Sequence, residues 1–219
     1  MNRRRSEREN WWDINVEYVP VTAEERFKAI TDNKIDILCG STTKTLSRSE
    51  IVDFTQLTFV TGSSLMTLKE SKAHDSGFAG KTIRVVKETT TAVALKELLT
   101  ETSTDAKVVL FNSAAEGIDA LRKKEIDAFS SDQVVLIGTL LTVNDPEKFV
   151  IDSNVFSFEP FALAVRRNDA DFRLVADRVI SDLYRSKQIL EVYDRWIGKF
   201  TRQRLPIFDA LIQLNATPE

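Results

Sequence analysis

Two stretches of this chain superpose without a gap at a separation of 91 residues. In the first, alternating and β-branched residues from Ile14 to Val21 predict a strand, and Thr22 to Asn33 predicts a helix with Ala23, Phe27 and Ile30 at i, i+4, i+7. Thr22 and Glu25 form a T-x-x-E capping box at the helix start. A short buried strand, Ile35-Asp36-Ile37-Leu38, follows. In the second, Lys107 to Phe111 is a strand, and Ser113 to Lys124 is a helix with an S-x-x-E box at Ser113 and Glu116. Ala114, Ile118 and Leu121 share one face of that helix, and Ile126-Asp127-Ala128-Phe129 repeats the short strand. Shared caps, shared apolar face and a shared Ile-Asp start favour a repeated β-α-β unit, and strands alternating with helices of this length make the chain α/β. The plainer form of that reading is two pieces of one sheet; the sharper form is two similar α/β lobes.

At 219 residues the chain has room for one large or two small domains. Thirty Lys+Arg against thirty-three Asp+Glu give a formal charge of −3, which offers no basic field to a nucleic-acid backbone. One histidine, His74, excludes a multi-His metal centre, and one cysteine, Cys39, excludes an intramolecular disulfide. A Ser-His-Asp triad would need His74, which sits in a polar loop composition, Ser71 to Gly77. No cofactor and no metal are expected. The longest apolar run, Val134 to Leu141, is far short of the roughly 20 residues that span a bilayer. Arg3 to Arg5 resemble the start of a signal peptide, but Trp11-Trp12-Asp13 follows where an apolar region would be needed.

The remaining segments order the lobes. Ser63 to Leu68 and Thr82 to Val86 are predicted strands on either side of the polar loop Lys69 to Gly77. Helices are predicted at Thr90 to Thr100, Gln133 to Leu141, Asp171 to Tyr184 and Gln188 to Ile197; in the third, Phe172, Val175, Val179 and Leu183 face inward. Phe161 to Val165 is a strand. This order implies that the chain leaves the first lobe near Leu68 and returns near Phe161, so that residues 1–68 and 161–219 form lobe 1 and residues 69–160 form lobe 2. Two crossings make a hinge.

Ligands of open α/β sheets bind beyond the carboxyl ends of strands. Ser41 lies five positions after Asp36, and Asp132 five after Asp127, so each repeat sets a short polar residue at the end of its second strand. Ser41, Thr43 and Arg48 from one lobe would face Thr89, Thr90 and Asp132 from the other. An arginine, several hydroxyls and a carboxylate together suit a zwitterion. The helix start at Thr89-Thr90-Thr91 adds backbone N–H groups for an anion. Read singly, Thr89 and Thr90 are helix caps, Asp132 is an N-cap, and Arg48 beside Glu50 is half of a surface ion pair.

The run Cys39-Gly40-Ser41-Thr42-Thr43-Lys44-Thr45-Leu46-Ser47-Arg48, followed by Ile51-Val52-Asp53-Phe54-Thr55, resembles the bacterial extracellular solute-binding proteins for polar amino acids, most closely the glutamate/aspartate binders. The likeness extends from Val16 to Phe200. It implies the two-lobed type II periplasmic-binding-protein fold with two hinge crossings, a monomer closing over one acidic amino acid, periplasmic location, and delivery to the membrane permease of an ABC importer. By matched position Arg48, Thr43 and the helix start at Thr90 would hold the α-carboxylate, Ser41 and Asp132 the α-ammonium, and Arg26 the side-chain carboxylate.

The chain departs from the family pattern in three places. Lys87-Glu88 replaces a Ser-Gly pair, Ala114 stands where some members have a ligand histidine, and the family's first strand, glycine-rich turn and first helix are not in this sequence. The last point implies either an incomplete first lobe with part of the site lost or a reading frame that starts too late. Cyclohexadienyl (arogenate/prephenate) dehydratases resemble the same family, which makes an enzyme the alternative, with Glu88 as the one unassigned acid beside the cleft. A sensor lobe of a signalling protein is a third reading.

Overall fold

The computed structural model describes residues 15–71, 77–198 and 206–218. The readings of residues 1–14 and of His74 lie outside the described residues. The strands are β1 (Ile37–Leu38), β2 (Asp53–Thr61), β3 (Ser63–Leu68), β4 (Thr82–Val86), β5 (Lys107–Phe111), β6 (Ala128–Asp132), β7 (Phe149–Ile151) and β8 (Glu159–Val165). The helices are α1 (Arg26–Thr31), α2 (Leu46–Ser49), α3 (Thr90–Glu101), α4 (Ala114–Arg122), α5 (Gln133–Leu140), α6 (Ala170–Arg185), α7 (Gln188–Tyr193) and α8 (Pro206–Asn215).

The strands form two sheets, each at the centre of its own lobe. A three-stranded antiparallel sheet runs β1-β8-β2, and a five-stranded mixed sheet runs β5-β4-β6-β3-β7. In the second sheet β4 is parallel to β5 and β6, as βαβ crossovers through α3 and α4 require, whereas β3 is antiparallel to β6 and β7. The 91-residue repeat is visible in the elements: β1 maps onto the start of β6, and α1 onto the last two turns of α4. Both side-chain pairs form. The Thr22 hydroxyl donates to Glu25 at 2.8 Å and accepts from the Glu25 N–H at 3.3 Å, and the Ser113 hydroxyl donates to Glu116 at 2.9 Å.

Three expectations need correction. Residues 15–21 carry no strand: Val16 and Tyr18 are 63% and 91% exposed, because β-propensity yields a strand only beside a paired edge, and β1 pairs with β8 alone among the described residues. Strand Ser63–Leu68 belongs to the second sheet, where all six of its residues are buried between β6 and β7. The outgoing crossing is therefore at Gly62 and not near Leu68. In α6 the inward residues are Ile180, Ser181 and Tyr184, whereas Val179 is 52% exposed, so the buried stripe is rotated by about one position.

Each sheet is covered on both faces. In the first lobe Ile30, Leu38, Val52, Phe54, Ala162 and Ala164 pack under α1, and Val60, Ile180, Tyr184, Tyr193, Phe208 and Leu211 pack under α6 and α8. In the second lobe Phe111, Ile118, Leu121, Phe129 and Leu136 fill the side of α4 and α5, and Ile83, Val85, Ala92 and Leu95 the side of α3. The two crossings lie side by side. A Cβ at Gly62 would collide with the Ser157 carbonyl and the Val155 side chain, so glycine is what lets them approach, and the Ser63 N–H donates to the Ser157 hydroxyl at 3.0 Å.

Candidate functional site

The lobes face each other across a cleft of about 1020 Å³, walled by Phe27, Thr43 to Arg48 and Ile51 on one side and by Lys87 to Thr90, Val93 and Leu110 on the other. Ser157 to Pro160 form its back at the returning crossing. Two contacts bridge its inner end. The Thr43 and Thr90 hydroxyls are 3.2 Å apart, and Arg26 donates across the gap to the Glu88 carbonyl at 3.4 Å. At the outer end Lys87 pairs with Glu24 at 2.6 Å.

Two arginines stand at the first lobe's side of the cleft, and both lie against Phe27, with guanidinium carbons 5.0 Å (Arg26) and 5.4 Å (Arg48) from the ring centroid. Arg48 follows the N-cap Thr45 in the short α2 and is oriented by a 2.8 Å bond to the Thr43 carbonyl. It makes no ion pair with Glu50 among the described residues, which sets aside the surface-pair reading. Arg26 is 9% exposed. Its two contacts, to the Ser41 carbonyl at 3.5 Å and to Glu88, are long, and its Nε has no partner. Burial, and then the Arg48 charge, push its pKa down to about 10, opposed by Asp132. Burial also lowers Arg48, against Glu159 and Asp132. A desolvated guanidinium without a carboxylate against it is a receptor for an anion.

The acidic side is equally buried. Asp132 closes β6 at the N-cap position of α5, but its carboxylate caps nothing; it accepts from the Thr91 hydroxyl at 3.1 Å and from Ser63 at 3.4 Å. Burial, and then the Glu159 charge, raise its pKa to about 6, against the two hydroxyl bonds and Arg26. Glu159, 2% exposed at the start of β8, is a site residue that the sequence reading missed. Its Oε2 accepts from Thr43 at 2.5 Å and Thr90 at 2.7 Å, and its Oε1 accepts from Ser157 at 2.7 Å, with the Ser63 hydroxyl oxygen 3.4 Å away. Ser63 and Thr91 were missed with it. The available signal was an acid directly before Pro160, at the crossing into a buried strand.

Of the expected residues, Thr43, Arg48, Thr89 and Thr90 line the cleft, while Arg26 and Asp132 are buried outside its lining, near enough for each to act on the other's charge. Thr89 is the N-cap of α3: its hydroxyl accepts from the Ala92 N–H at 3.2 Å and donates to the Val86 carbonyl at 2.7 Å, which leaves it no proton for a ligand. Ser41 is exposed and contributes its carbonyl to Arg26. Glu88, in the left-handed region at φ 57°, likewise contributes its carbonyl, and with Glu159 present it is no longer the one unassigned acid. Among the described residues no group of three or more His, Cys, Asp or Glu is placed to hold a metal ion. No described helix is long and apolar enough to cross a membrane.

The model of the bacterial extracellular solute-binding proteins, family 3, matches residues 6–199 of the chain. The chain belongs to this family. As a family 3 solute-binding protein it is 28% identical over 212 residues to the L-glutamate/L-aspartate-binding protein of Pseudomonas aeruginosa, covering 94% of this chain and 70% of that one. It is 25% identical over 185 residues to the glutamate/aspartate import solute-binding protein of Escherichia coli, covering 84% of this chain and 61% of that one. Among solved structures it superposes on an ABC transporter periplasmic binding protein from Brucella ovis with glutathione bound, at TM-score 0.75 and 26% identity, over 93% of this chain and 64% of the other. It also superposes on a binding component of an ABC transporter from Wolinella succinogenes complexed with lysine, at TM-score 0.75 and 19% identity, over 91% and 86% of the two chains. The fold is therefore the two-lobed type II periplasmic-binding-protein fold, and the family binds amino acids for the membrane components of ABC importers.

Proposed function

We propose that this family 3 solute-binding protein takes an acidic L-amino acid, glutamate or aspartate, into the interlobe cleft and delivers it, as a periplasmic monomer, to the permease of an ABC importer. The observation that carries the reading is Arg26: a buried cation with an unpartnered Nε, lying with a second arginine against the same Phe27 ring. A neutral amino acid brings one carboxylate, which Arg48 can take; an acidic one brings a second for Arg26. Asp132 then faces the α-ammonium. The glutamate/aspartate relatives support this specificity, while the relatives that bind glutathione or lysine set its competitors.

We read the cleft as a binding site and not a catalytic one, since both oxygens of Glu159 are occupied by hydroxyl donors and Glu88 turns its carbonyl to Arg26. Calorimetry with L-glutamate, L-aspartate, L-glutamine and L-alanine tests the assignment. Tighter binding of the two acids is expected, and equal affinity for glutamate and alanine overturns it. Unchanged absorbance of prephenate and arogenate on incubation is the matching result for the absence of dehydration.

A further inference from the structure

Glu159 has a hydroxyl from each lobe and from each crossing around its carboxylate. Thr43 follows β1 in the first lobe, Thr90 opens α3 in the second, Ser63 begins the outgoing strand, and Ser157 lies on the return. A hydroxyl has one proton and two lone pairs, whereas a carboxylate oxygen only accepts. Thr43 and Thr90 both donate to Oε2, at 2.5 and 2.7 Å, so both protons are committed there. Their 3.2 Å approach to each other is then a contact between two oxygens with no proton between them. Both threonines line the cleft, so what they present to a ligand is lone pairs. This turns the Thr43 hydroxyl away from the α-carboxylate that the family resemblance implies for it, and leaves to Thr90 only the helix start implied there.

We propose that Glu159 is a specificity-determining residue: by taking the hydroxyl protons of Thr43 and Thr90 it makes both threonines acceptors toward the cleft, and so makes a cationic donor, the ligand's α-ammonium group, a requirement for binding. Asp132 works in the same direction from β6, joined to Glu159 through Ser63, whose hydroxyl lies 3.4 Å from a carboxylate oxygen of each. The ligand α-carboxylate is left to Arg48 and to the backbone N–H groups opening α3.

The inference rests on the acidic amino-acid reading above, and its test separates the two. The affinities of L-glutamate and of 2-oxoglutarate, which has the same two carboxylates and a keto oxygen in place of the ammonium, are compared by calorimetry and by displacement at millimolar concentration. In Glu159→Gln the amide brings two donors and one acceptor, so one threonine accepts from the amide and turns its own proton to the cleft. The preference for glutamate over 2-oxoglutarate is expected to fall by about tenfold or more, roughly one charge-assisted hydrogen bond. Loss of both ligands in equal proportion, or no detectable gain for 2-oxoglutarate where glutamate still binds, overturns the proposal. If Glu159→Gln does not melt cooperatively, Thr90→Val provides the same comparison, because it removes one committed hydroxyl. Its preference should fall, and Thr90→Ser, which restores the hydroxyl, should restore it; an unchanged preference in Thr90→Val overturns the proposal. A wild-type protein that binds neither glutamate nor aspartate defeats the ligand reading instead.

Discussion

Arg26 of the first lobe reaches the main-chain carbonyl of Glu88 in the second at 3.4 Å, and among the described residues no carboxylate forms a salt bridge with it. The cation is therefore held in place by weak acceptors on both walls, with the Asp132 charge acting on it only from beyond contact. On the proposed reading, an anion arriving at Arg26 would give that cation the carboxylate partner it lacks.

The sharpest consequence is a specificity change. Arg26→Ala should weaken glutamate binding by about a hundredfold or more, since a buried carboxylate loses its counter-ion. Glutamine should lose about tenfold or less, for the missing bond to Glu88. Isothermal calorimetry of both ligands decides it, and equal losses would return Arg26 to a purely structural role.

Arg48→Ala should cost every amino-acid ligand on the order of 3–5 kcal/mol, about a hundred- to several-thousandfold, because the α-carboxylate is common to all of them. Arg48 is fixed by the Thr43 carbonyl and packs on Phe27, so Arg48→Lys, which keeps charge but not the planar fork, should recover only part of the loss. A variant within a few-fold of wild type would show that the carboxylate is held elsewhere.

Binding and stability should move in opposite directions across mild acid. Burial, and then Glu159, raise the Asp132 pKa to about 6 in the folded protein, above the ordinary value of 3.8. Between those values the folded state binds more protons than the unfolded one, so the unliganded protein loses stability as pH rises from about 4 to about 6 and levels off above. Affinity for an α-ammonium follows the ionised form, and falls as pH drops through about 6. Thermal melts and titrations over that range check both slopes, and Asp132→Asn should flatten the first and abolish binding.

A control lies away from the cleft. Thr67 is buried near the end of β3 with a hydroxyl that has no hydrogen-bond partner. Thr67→Val replaces that hydroxyl with a methyl of the same shape, and should raise stability by about 1 kcal/mol with ligand affinity unchanged. A lowered melting temperature would mean that the hydroxyl is satisfied in solution.

What the sequence by itself determined are the features set by neighbours along the chain. The Thr22–Glu25 box, the Ser113–Glu116 side-chain pair, the helix of residues 90–101, the strands of the second β-α-β unit, and the placing of Arg48 after Thr45 and of Asp132 at the end of β6 all follow from spacing within a few residues. Tertiary structure decided what depends on a partner far away. Residues 15–21 have strand composition and no strand, because pairing needs an edge that local sequence does not provide. Ser63–Leu68 joined the second sheet because β6 and β7 bury both of its edges, which placed the hinge at Gly62. Asp36 and Asp127 occupy equivalent positions of the repeat, yet one pairs with Arg166 at 3.0 Å and the other accepts from the Thr82 N–H at 2.8 Å. Glu159 acquires its role only when two lobes and two crossings converge on it, since the four hydroxyls that surround its carboxylate are drawn from positions 43, 63, 90 and 157, and no local pattern encodes such a meeting.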